Sequence, residues 1–292
     1  MPQQSRQDAT GTALITGASS GIGYEFSSQL ARQGYDLLLV GRNRPALASL
    51  AKRLEEESGV RAEFCAMDLS VAPAPEELFA EINQREMSID VLINDAGFAM
   101  QGPFAENDAS TLLDMLQVNV MAVTHLLRLI LPGMIERRRG KILNMSSIGA
   151  FMPGPLMAAY FASKAYVLSL SEALANELSG SGVTVTALCP GPTRTRFAQR
   201  ARLTETKAFR GALMEPAEVA REGLDALMKG KRVVITGFKH KLQLLPRPFV
   251  PRRVLAYFAR QYHQTPGPKG RTAAPLWPAA PESSHPSHAT QP

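Results

Sequence analysis

TALITGASSGIG, residues 12–23, is the stretch on which the fold turns. TALIT is a short apolar run, and it breaks at once into a turn carrying Gly17, Gly21 and Gly23. A helical pattern then runs to about Arg32. A buried strand, a glycine turn and a helix make the opening half of a βαβ unit. In a sheet built from such units, ligands bind outside the carboxyl ends of the strands. Glycines there let the main chain approach a pyrophosphate, which then sits on the helix N-terminus. Ser19, Ser20 and Ile22 belong to the same turn. The spacing is G-x-x-x-G-x-G rather than G-x-G-x-x-G, and a tight bend alone also uses glycines. Its place after the opening strand favours the nucleotide.

The alternation continues along the chain. Strand-like runs recur at YDLLLV (35–40), RAEFCAM (61–67), IDVLIN (89–94), KILNMS (141–146), VTVTALC (183–189) and RVVIT (232–236). Between them lie amphipathic patterns, among them a long one over 109–137 and another over 158–178. Apolar strands separated by helices predict parallel pairing with right-handed crossovers and helices on both faces. The expected fold class is α/β: one Rossmann-type, doubly wound sheet of about seven strands over residues 11–239. Residues 1–10 read as a flexible start. The segment 240–264 mixes apolar and basic residues with prolines; packing on the core, covering a neighbouring subunit and lying on a membrane surface are all open to it. From 265 to 292 the chain is rich in Pro, Ala and Ser, and disorder is expected.

With 45% hydrophobic and 20% charged residues, the 292-residue chain has ordinary globular composition. A net charge of +6 suits anionic partners such as nucleotide phosphates, acyl-CoA or a membrane surface, or is simply a solvated basic exterior. No aromatic–basic interleaving points to nucleic acid. Cys65 and Cys189 sit in strand-like runs and read as buried free thiols, not as a disulfide or a metal site. MPQQSRQDATGT lacks the apolar core of a signal peptide, and no uninterrupted apolar run reaches bilayer length, so a cytoplasmic setting is expected.

The second strand bears on cofactor choice. LLLVGRNR ends in Gly41-Arg42-Asn43-Arg44, cations where a carboxylate would hold the ribose 2′-OH of NAD. Asp36 lies at the wrong end of that strand. Arg42 is placed to meet the 2′-phosphate of NADP through charge-assisted hydrogen bonds, so NADP(H) is favoured over NAD(H).

AAYFASKAYV, residues 158–167, sets Tyr160 and Lys164 one helical turn apart. Such a pair alone is usually structural. TGASSGIG, NDAG (94–97), an Asn in the long helix, NMSS (144–147) and YFASK (160–164) follow one another in this order. Through these five motifs, over residues 12–236, the chain resembles the short-chain dehydrogenase/reductase family.

That resemblance implies a single-domain Rossmann enzyme moving hydride between a nicotinamide and a carbonyl or alcohol carbon. It implies Tyr160 as general acid/base, Lys164 as the cation that lowers the Tyr pKa and binds the nicotinamide ribose, Ser147 on the substrate oxygen, and Asn119 in a proton relay. Ser146 is the less favoured serine. On the cofactor side it implies Asp68 at the adenine amino group, Asn94, Ala96 and Gly97 near the adenosine ribose, Pro190 and Gly191 on the nicotinamide side, and Thr193 and Thr195 at the carboxamide or pyrophosphate. One residue departs from the family's Asn-Asn-Ala-Gly: Asp95 stands at its second position. The family's habit also implies a homodimer or homotetramer through the long central helices.

Phe98, Met100, Phe104, Phe151, Met152, Leu156 and Met157 are expected to face the substrate, whose body would then be apolar. The basic stretch TRTRFAQRARLTETKAFRG (193–211) is expected to form a flap over the site. The reading is an NADP(H)-dependent oxidoreductase reducing a ketone or aldehyde. Its rivals are a dehydrogenase of a hydroxylated lipid, steroid or amino acid, and a non-catalytic NADPH sensor or scaffold.

Overall fold

The structure, a computed structural model, describes residues 10–264. The expectations for the first nine residues and for the tail from 265 fall outside the described residues. Seven strands form one sheet in the order β3-β2-β1-β4-β5-β6-β7, and every pairing is parallel. They are β1 (Gly11–Thr16), β2 (Tyr35–Gly41), β3 (Ala62–Ala66), β4 (Ile89–Asn94), β5 (Gly140–Met145), β6 (Val183–Cys189) and β7 (Val233–Ile235). The first three strands build outward on one side of β1. The chain then crosses over, and β4 to β7 build outward on the other side. This reversal opens a crevice at the carboxyl ends of β1 and β4.

Alternation along each strand supplies both faces of the core. Ala13, Ile15, Leu37 and Leu39 point to one side, against α1 (Gly21–Arg32), α2 (Arg44–Ser58) and, later in the chain, α9 (Pro216–Met228). Leu14, Leu38, Val40 and Leu92 point to the other, against α3 (Ala74–Gln84), α5 (Val123–Glu136) and α6 (Ala158–Glu177). Strands buried on both faces are why these runs are apolar throughout. Each fully buried Leu contributes about 1.5–3 kcal/mol relative to exposure. Local signals set the helix ends: Asn43 accepts a hydrogen bond from the Ala46 N–H at the start of α2, and Gly59 ends it at φ 69°.

The long helical pattern over 109–137 is not one regular helix. It divides into α4 (Ala109–Leu116), a π-turn over Gln117–Ala122, and α5. By length and composition Ala109–Glu136 is apolar enough to cross a bilayer. Its Leu126, Leu127, Ile130 and Met134 are instead packed inside the second core layer. Both cysteines are buried and free. After β6 come α7 (Arg196–Arg200) and α8 (Lys207–Arg210), and after β7 come α10 (Phe238–Leu244) and α11 (Arg252–His263).

Candidate active site

The crevice holds a cavity of about 500 Å³. Its floor begins at the glycine turn. Gly17 and Gly21 adopt φ of 75° and 64°, the left-handed region that glycine occupies without strain. Ser20 stands at the N-cap of α1 without a side-chain capping bond among the described residues. Ser19, Ser20, Gly21 and Ile22 line the cavity, so the positive end of the α1 dipole faces into it. These residues fit a pyrophosphate. Gly23 lies behind them, and a β-carbon there would sit 2.6 Å from the Gly17 carbonyl oxygen. Its part is to let helix and turn close on each other.

Thr16, at the end of β1, organises the neighbouring NDAG turn. Its Oγ1 accepts hydrogen bonds from the N–H groups of Asp95 and Ala96, both at 3.1 Å. Asp95, Ala96 and Gly97 therefore line the cavity beside the glycine turn. Asn94 does not. It is buried, and its Nδ2 donates to Asn144 Oδ1 at 2.8 Å, which ties β4 to β5. The expected place of Asn94 near the ribose is corrected accordingly: as the last residue of β4 it shares the face of Leu92, under α6, where Asn144 in turn donates to Ser171 Oγ at 2.9 Å.

At one end of the cavity Arg42 stands 3.6 Å from Asp68, and both line the wall. Burial pushes the Asp68 carboxyl up, but the N–H and hydroxyl of Ser70, with Arg42, outweigh it and hold the group below its ordinary value. Arg44 lies over the ring of Phe64, and Asp36 pairs with Arg61 at 3.2 Å, well away from Arg42.

At the other end, α6 brings Tyr160 and Lys164 to the cavity beside Ser147. Lys164 is buried, and its Nζ donates to the Met145 carbonyl at 2.8 Å. Burial pulls its pKa down to about 8, against the pull of Asp95. Burial pushes the Tyr160 phenol up to about 12, although the Ser147 hydroxyl beside it acts the other way. Ser146 and Ser147 are now distinguished. The Ser146 hydroxyl is buried and donates to the Lys164 carbonyl at 2.8 Å. Ser147 stays partly open, accepting the Gly149 N–H at 3.0 Å. Asn119 is wholly buried in the π-turn and does not line the cavity; its side chain binds the main chain of Phe98. Pro190, Gly191, Thr193 and Thr195 line the wall after β6, and Thr195 caps α7 through the Phe197 N–H at 3.3 Å.

The apolar part of the cavity differs from expectation. Phe98, Met152 and Met157 line it, whereas Met100, Phe104, Phe151 and Leu156 do not. Phe104 projects outward, 62% exposed, and Phe151 lies beneath Arg247. The flap contributes Phe197, Leu203 and Phe209 instead. The roof comes from α10 and α11, with Leu244, Leu255, Phe258, Tyr262 and His263. Residue type along 240–264 is equally compatible with other placements, so only three-dimensional packing shows this.

Residues 11–206 match the family model described as short chain dehydrogenase. A very-long-chain 3-oxoacyl-CoA reductase of Phaeosphaeria nodorum is 40% identical over 177 residues, which is 59% of this chain and 52% of that protein. The match thus spans about half the length of that reductase. Hydroxysteroid dehydrogenase-like protein 1 of Gallus gallus is 29% identical over 253 residues, covering 86% of this chain and 75% of that one. Among solved structures, a short-chain dehydrogenase from Sphingobium yanoikuyae in complex with NADPH superposes with a TM-score of 0.74 at 34% identity, covering 82% of this chain and 93% of that chain. The five motifs, the seven-stranded parallel sheet and these matches agree: the chain belongs to the short-chain dehydrogenase/reductase family and is an oxidoreductase acting on CH–OH/C=O groups.

Proposed function

We propose that the protein is an NADP(H)-dependent reductase of a ketone or aldehyde with an apolar body. The observation that carries this reading is the division of labour along one cavity. A cation, Arg42, stands at one end; a phenol, a buried ammonium and a hydroxyl meet at the other, next to apolar walls.

When bound, the nicotinamide supplies the hydride. The chain's own residues handle the proton. The phenol of Tyr160 is held protonated at neutral pH, which suits donation to a carbonyl oxygen more than abstraction from an alcohol. As that oxygen gains charge, the Tyr160 Oη–H passes its proton across, and the phenolate left behind keeps the hydrogen bond of Ser147, with the Lys164 Nζ 5.9 Å from the ring centre. Ser147 donates a hydrogen bond to the same oxygen and orients the carbonyl. Lys164 keeps its charge below a pH of about 8, so the proton path is supported at neutrality. Phe98, Met152, Met157 and Phe161 exclude water from the reacting carbon. Arg196 and Arg200 also line the cavity and suit a substrate with an anionic tail, so a 3-oxoacyl thioester is the first compound to offer.

The test follows NADPH consumption with a panel of aldehydes, bulky ketones and 3-oxoacyl thioesters, for the wild type and Tyr160→Phe. Turnover in the wild type that falls at least ~100-fold in the variant, with NADPH binding retained, supports the assignment. Turnover equal in both overturns Tyr160 as the acid. Tight NADPH binding without turnover on any carbonyl favours the sensor.

A further inference from the structure

Among the described residues, fourteen large apolar side chains are exposed, and eight of them fall between Phe238 and Tyr262. Phe249 is 89% exposed, Phe238 79% and Leu245 67%. A surface arm with this density of uncovered apolar groups is far from the scattered single residues of an ordinary exterior. On α11, Val254, Tyr257 and Phe258 follow the i, i+3, i+4 spacing of one helix face, and all three are exposed. Only Ala259 of that helix is buried.

The charge of the arm is one-sided. Residues 238–264 contain Lys239, Lys241, Arg247, Arg252, Arg253 and Arg260, and no Asp or Glu. Two copies facing each other through this surface would set cations against cations. A protein partner would need an acidic and apolar face of matching shape. A bilayer with anionic headgroups complements both properties without any special shape: aromatic and aliphatic side chains enter the headgroup boundary, and Lys and Arg meet the phosphates. The inner side of the same arm roofs the cavity through Leu244, Leu255 and Ala259, while Phe258 and Tyr262 both line the cavity and reach solvent.

We propose that α10, the following turn and α11 form a docking surface for an anionic lipid bilayer. Docked this way, the cavity mouth at Phe258 and Tyr262 opens beside the lipid. The interaction depends on the surface alone and does not require the reductase reading to hold.

The test is co-sedimentation of the full chain with vesicles of phosphatidylcholine alone or of phosphatidylcholine with phosphatidylserine. Two variants accompany it: Phe238→Ser/Leu245→Ser/Phe249→Ser, and Arg252→Glu/Arg253→Glu. None of these five residues lines the cavity, and a wild-type far-UV circular dichroism spectrum with a cooperative thermal transition serves as the folding control for both. The expected result is wild-type binding to the phosphatidylserine vesicles, at least ~10-fold weaker with phosphatidylcholine alone and in each variant. Absence of wild-type binding, or equal binding by the folded variants, overturns the proposal. So does a self-association in solution that the triple serine variant abolishes, which would assign the surface to a second copy of the chain.

Discussion

Asn119 grips the main chain of Phe98 from both sides: its Nδ2 donates to the Phe98 carbonyl at 2.9 Å and its Oδ1 accepts the Phe98 N–H at 3.1 Å. Nδ2 also reaches Ser163 Oγ at 3.2 Å on α6. The side chain thereby joins the π-turn, the loop after β4 and the helix that bears Tyr160. Asn119→Ala leaves the Phe98 main-chain groups without this partner. A stability loss of about 2–3 kcal/mol is expected in urea unfolding, together with reduced turnover. Unchanged stability would show that the loop finds other partners and that the grip is incidental.

Arg42 lines the cavity beside Asp68 and has no stacking duty such as Arg44 has over Phe64. Its pairing with Asp68 is exposed and long, and contributes little to stability. Arg42→Ala is therefore expected to leave unfolding unchanged and to weaken NADPH binding about 10- to 100-fold, the worth of a charge-assisted contact to phosphate. NADH binding should hardly move. Equal losses for both cofactors, in fluorescence titration, would sink the preference for NADP(H).

Asp95 and Lys164 give the stability a distinctive pH dependence. Burial raises Asp95 from 3.8 to about 7, with Lys164 and the Gly23 N–H acting against it. Between those values the unfolded chain has released a proton that the folded chain keeps, so stability falls as pH rises from ~4 to ~7. Lys164 is depressed from 10.5 to about 8, so above 8 the folded chain has released a proton that the unfolded chain keeps, and stability rises again. The contribution of the pair is lowest between the two folded values, near pH 7–8. Asp95→Asn should remove the acid-side decline and stabilise the protein at pH 8 by about 1–2 kcal/mol, allowing for the lost attraction to Lys164. A wild-type melting temperature flat across pH 5–8 would contradict this account.

Gly23 tolerates no side chain without a shift of main chain, because the obstructing atom is the Gly17 carbonyl oxygen. Gly23→Ala should cost about 1–3 kcal/mol of stability and open the turn enough to weaken NADPH at least ~10-fold. Normal cofactor affinity in this variant would mean that the turn and α1 have slack between them.

The strands, and the motif residues that line the crevice at their carboxyl ends, were legible in the sequence, because uninterrupted apolar runs such as IDVLIN have few other uses and the motifs follow them directly. Asn94 misled because its motif neighbours, Ala96 and Gly97, lie in the loop beyond β4 and line the cavity, whereas Asn94 is the last residue of the strand and its side chain is held by Asn144. The π-turn was hidden, since one extra residue in a helical repeat hardly disturbs an apolar pattern as continuous as that of 109–137. The roof was hidden for a different reason. Leu255 and Phe258 look alike in sequence, and only the position of the cavity distinguishes the wall from the outer surface.

The strand order has a consequence for how the chain comes to be folded. β1 needs partners on both edges, and one of them arrives late: Thr12 pairs with Asp36 on one side and with Ile89 on the other. During synthesis at 5–20 residues per second, that second edge stays unpaired for about 4–15 s after β1 has emerged. In that interval the hairpinless trio β1–β3 presents a bare apolar strand to any other chain nearby. Nascent fragments ending before Asn94 expose the edge of β1, and each later strand passes the open edge outward, to β4, β5 and β6 in turn, until β7 ends the sheet.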